Sequence, residues 1–90
     1  MSCVLVTYDL RKPGRDYAVL FDAIKSISMS YAHCLGSVWV VKTALSCAEV
    51  RDKLQRNVDD GDGVVVVALG GDWATLGVSP QCNAWLNASL

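Results

Sequence analysis

Asp9 is the residue with the clearest chemical potential in this chain. It closes the apolar run Cys3-Val4-Leu5-Val6-Thr7-Tyr8 and precedes the polar segment Arg11-Lys12-Pro13-Gly14-Arg15. A carboxylate is a hard oxygen ligand for Mg²⁺ or Mn²⁺, and a bound ion polarises a phosphate and activates water. The same carboxylate can instead accept hydrogen bonds from the Pro13-Gly14 turn or cap a helix. Arg11, Lys12 and Arg15 read as phosphate contacts or as a solvated basic loop. His33 and Ser37 offer a general base and a phosphate donor if their strands neighbour Asp9. A histidine satisfied within a sheet is the competing account.

Other motifs carry less. Asp59-Asp60-Gly61-Asp62-Gly63 has the look of half a calcium loop but lacks the closing glutamate, so a helix-ending turn is expected. Gly70-Gly71 has neither the lysine nor the helix start of a phosphate loop. Tyr8, Trp39, Trp73 and Trp85 have faces on which bases can stack, but packing in a core or dimer is the default. Cys3, Cys34, Cys47 and Cys82 lie far apart, without a C-x-x-C pair or Cys/His metal spacing. They are expected to be reduced core thiols of a cytoplasmic protein.

These residues must be positioned by short elements. The run from Cys3 to Asp9 reads as a buried strand, apolar on both faces. Asp16 suits a helix N-cap, and Tyr17, Leu20, Ile24 and Ile27 form one helical stripe, which predicts a helix from about Tyr17 to Ser26. Tyr31 to Leu35 and Ser37 to Thr43 read as a hairpin of two strands around Gly36. Ser46 and Glu49 match a capping box ahead of a second stripe, Cys47, Val50, Leu54 and Val58. Val64 to Leu69 is apolar throughout, which predicts a central strand covered on both sides. Trp73 to Leu76 reads as a short strand, and Ser79-Pro80 as the opening of a last helical turn.

Strand, helix, strand, strand, helix, strand is the order of the α+β, ferredoxin-like (βαββαβ) fold. Residues 1–69 form its core and 70–90 a carboxyl-terminal extension of the same domain. The chain has 90 residues, enough for one domain with a modest core. Its residues are 52% apolar and only 19% charged, against a usual charged share of about 25%. Two helices on one face of the sheet leave the other apolar face open, so a homodimer, sheet against sheet, is expected. The formal net charge of −1 excludes a global basic field for RNA or DNA. Neither a signal peptide nor a membrane span is indicated, and no membrane partner is expected.

Val6-Thr7-Tyr8-Asp9, Ser37-Val38-Trp39 and Asp60-Gly61-Asp62-Gly63-Val64-Val65-Val66 resemble the small CRISPR-associated adaptation proteins of the Cas-two family. They are still more similar to the short bacterial "SinR-like" or Cas-two-like proteins found outside CRISPR loci. The resemblance spans residues 1–69. It implies a ferredoxin-like homodimer in which Asp9 of each protomer faces the twofold axis and holds Mg²⁺ or Mn²⁺ for phosphodiester hydrolysis. Other members of the family are non-catalytic scaffolds, which is the alternative function. The chain departs from the family in its slightly acidic balance and in its tail, residues 70–90.

Overall fold

Residues 2–11 and 17–90 are described by a computed structural model of the chain. The elements are β1 (Ser2–Asp9), α1 (Ala18–Ser26), β2 (Ser30–Leu35), β3 (Val38–Thr43), α2 (Cys47–Gln55), β4 (Gly63–Ala68) and α3 (Pro80–Ser89). The four strands make one antiparallel sheet in the order β2-β3-β1-β4. The fold is α+β. The expected N-cap Asp16 lies outside the described residues.

Alternation along β1 divides the sheet into two unequal faces. On the inner face Val4, Val6 and Tyr8 join Trp39 and Val41 of β3, and α1 and α2 close over them with Leu20, Ile24, Val50 and Leu54. All nine side chains are buried, and they form the main core. The stripes read from the sequence therefore point where their periodicity places them. The capping box on α2 is complete: Ser46 Oγ accepts from the Glu49 amide at 3.1 Å, and Glu49 Oε1 accepts from the Ser46 amide at 3.0 Å.

The outer face departs from expectation. α3 lies across part of it, and Cys82 and Leu86 pack with Cys3, Ala32 and Val40 in a second buried cluster. This face is thus only half open. Helix α3 extends over ten residues, longer than the expected single turn, with Ser79 capping the Cys82 amide and Pro80 in the first turn. Trp73 to Leu76 is not a strand. Having no ladder partner among the described residues, it forms an irregular arm, tied back where the Thr75 hydroxyl donates to Asn83 Oδ1.

β4 is also corrected, from a central strand to an edge strand paired with β1. Its inner side chains Val64 and Val66 pack against the main core. Its outer ones, Val65 and Val67, are 55% and 47% exposed. A continuous apolar run records that neither side is polar. It does not record whether both sides are covered by this chain.

The cysteines overturn the reduced-thiol expectation. Cys34 of β2 and Cys82 of α3 form a disulfide, with their Cα atoms 5.5 Å apart. Cys3 and Cys47 are free thiols. The separation of Cys34 and Cys82 by 48 residues hid the pairing. Connectivity depends on which strand α3 crosses, which spacing does not encode.

Candidate functional site

β1 carries Asp9 to one end of the sheet, opposite Gly63 at the start of β4. The β2–β3 turn reaches the same end, where the Tyr8 amide donates to the Ser37 carbonyl at 3.3 Å. Arg11 Nε donates to Asp9 Oδ2 at 3.0 Å, with side chains 63% and 70% exposed respectively. The Arg11 amide donates to Asp62 Oδ1 at 3.0 Å, and Asp62 Oδ2 accepts from the Asp59 amide at 2.8 Å. The Arg11 guanidinium also lies over Gly63, where a Cβ would be 3.4 Å from it, in ordinary contact. The Asp59 to Asp62 stretch is thus a turn locked by its own last aspartate. It also brings a second carboxylate to Arg11, which sequence reading missed because it assigned Asp62 to the turn alone.

His33 does not join Asp9. β3 separates β2 from β1, and His33 belongs to the inner face, where it stacks on Trp39 with ring centroids 4.0 Å apart and meets the edge of Phe21. Its Nε2 faces the Gly36 carbonyl at 3.1 Å, so that nitrogen carries the proton. Asp9 alternates to the outer face of β1. Ser37 stands at the right end of the sheet and is exposed, but its contact with β1 is through its backbone carbonyl. Of the basic residues, Arg11 is engaged by Asp9, while Lys12 and Arg15 lie outside the described residues.

Beneath this end, Tyr8 Oη donates to the Gly36 carbonyl at 3.0 Å and accepts from Trp39 Nε1 at 3.3 Å. Burial pushes the Tyr8 phenol up from its ordinary value and outweighs the opposing bond from Trp39, and Tyr17 adds to the rise. Trp39 and Tyr8 are core residues, not stacking platforms. Trp85 is spent on α3, its indole nitrogen donating to Ser30 Oγ at 2.7 Å.

A divalent ion needs several oxygen ligands. No group of three His, Cys, Asp or Glu suited to an ion occurs among the described residues, and Asp9 already has a guanidinium against it. Among the described residues, one protomer alone does not bring together the ligand set that the Mg²⁺ or Mn²⁺ of the family resemblance would need.

No family model and no curated protein matches the chain. Among solved structures it is similar to a hypothetical protein, TT1823, from Thermus thermophilus, with a TM-score of 0.67 and 23% identity over 88% of this chain and 94% of that one. That likeness extends to the fold. No helix among the described residues is long and apolar enough to cross a membrane.

Proposed function

We propose that the chain is a non-catalytic homodimeric scaffold, Cas-two-like in kind and ferredoxin-like in fold, that binds through the uncovered half of its outer sheet face. The observation carrying this reading is the apolar strip beyond the reach of α3. Leu35, Val65, Val67 and Leu76 are 49%, 55%, 47% and 96% exposed, and Leu5 and Val38 are half-buried between them. A second copy is the natural cover, because a twofold axis sets one such strip against an identical one and needs no further partner. The fold assignment is supported by the order β1-α1-β2-β3-α2-β4 and by two helices packed on one face of the sheet. A cytoplasmic setting belongs to the same reading, and there the Cys34–Cys82 bond is transient.

The competing reading is an Mg²⁺- or Mn²⁺-dependent nuclease acting on RNA or DNA. It draws on the exposure of Asp9 beside the strip, since an axis through the strip brings two Asp9 carboxylates toward each other. Light scattering at micromolar concentration is expected to report a dimer, and Val65→Asp a monomer. A monomeric wild-type chain overturns the scaffold. RNA and DNA incubated with the dimer and either ion are expected to stay intact. Cleavage that disappears in Asp9→Ala replaces the scaffold reading with the nuclease.

A further inference from the structure

Besides the backbone that leads from β4, α3 is joined covalently to the sheet by the bond from Cys82 to Cys34. The rest of the attachment is slight. Cys82 and Leu86 are the buried residues of α3, with Trp85 partly buried beside them, and two side-chain hydrogen bonds reach the sheet: Trp85 to Ser30 Oγ of β2, and the Cys3 thiol of β1 to the Ser89 carbonyl. The arm that leads into α3, residues 70–77, is exposed throughout and turns at Gly71 and Gly77, both at positive φ. The main core contains no residue of α3. The helix therefore sits apart from the main core, on an exposed connection, held by a small apolar cluster, two side-chain hydrogen bonds and the disulfide.

We propose that the Cys34–Cys82 disulfide is a redox-operated clasp: when a dithiol reduces it, α3 leaves the outer face while the rest of the fold persists. Cys34 is half-buried at the sheet edge and Cys82 is buried beneath the helix, so the incoming thiolate attacks Cys34 Sγ. The bond to Cys82 breaks and a mixed disulfide forms on Cys34. Cys82 leaves as a thiolate from the first turn of α3, where the helix dipole favours negative charge, and then takes a proton. The second thiol of the reductant attacks its own sulfur in the mixed disulfide and releases Cys34, which is protonated in turn. Two electrons and two protons pass to the protein, and the dithiol becomes a cyclic disulfide. Release of α3 uncovers Cys3, Ala32 and Val40 and joins them to the strip already open beside β4.

The experiment is hydrogen exchange on the full chain, oxidised and then treated with dithiothreitol, with thiols of each form counted by alkylation in denaturant. The oxidised chain is expected to show two thiols and the reduced chain four. Amides of α3 are expected to exchange at least about tenfold faster after reduction, while those of β1 and β3 keep their protection. Cys34→Ser combined with Cys82→Ser is expected to reproduce the reduced pattern without dithiol. Unchanged protection in α3 overturns the clasp. So does loss of protection across β1 and β3, in the reduced chain or the double variant, which makes the bond a support of the whole fold. Four thiols in the oxidised chain overturn it as well.

Discussion

The Trp39 indole nitrogen donates to the Tyr8 hydroxyl at 3.3 Å inside the main core, and that hydroxyl donates onward to the Gly36 carbonyl at 3.0 Å. One side chain thereby satisfies the buried indole and pins the β2–β3 turn to β1. Tyr8→Phe removes both bonds and leaves a buried donor unpaired. A loss of about 1–3 kcal/mol is expected from urea unfolding, since the orphaned indole bears its desolvation cost.

The raised phenol of Tyr8 also sets an alkaline limit. The fold favours the neutral form, so this contribution is fully present below the ordinary tyrosine value of 10.0 and is lost as pH rises through the higher folded value. Unfolding midpoints from pH 8 upward are expected to fall above about pH 10 in the wild type and to fall less steeply in Tyr8→Phe.

The cap of α2 gives an acid-side counterpart. The hydrogen bond from the Ser46 amide, aided by the Ser46 side chain, holds the Glu49 carboxyl below its ordinary value of 4.5. Its contribution is present above that value and lost as pH falls through the lower folded one. Ser46→Ala is expected to cost about 1 kcal/mol by chemical denaturation at neutral pH.

The ion pair between Asp9 and Arg11 is exposed on both sides. Asp9→Ala is therefore expected to change stability by less than about 1 kcal/mol in thermal denaturation. A larger loss would mean that the carboxylate supports the turn at the end of β1 by more than this pair. A small one leaves Asp9 free to be judged by binding and cleavage alone.

The strands, the helix stripes and the capping box were legible because each is written in local periodicity: Leu20 with Ile24, Val50 with Leu54, Ser46 with Glu49. Asp9 at a strand end and Asp59 to Asp62 as a turn were legible for the same reason. Three things were decided only by the tertiary structure. His33 and Asp9 are kept apart because β3 lies between their strands and its register sets His33 level with Trp39 and Val6, on the face opposite Asp9. Asp62 reaches Arg11 because β4 begins beside Asp9. Cys34 meets Cys82 because α3 folds back over the outer face. The sequence by itself determined which side chains share a face, since a strand alternates with period 2 and a helix turns every 3.6 residues. Which faces meet, and how much of the outer one stays bare, depends on contacts between residues far apart in the chain, and no local pattern carries that information.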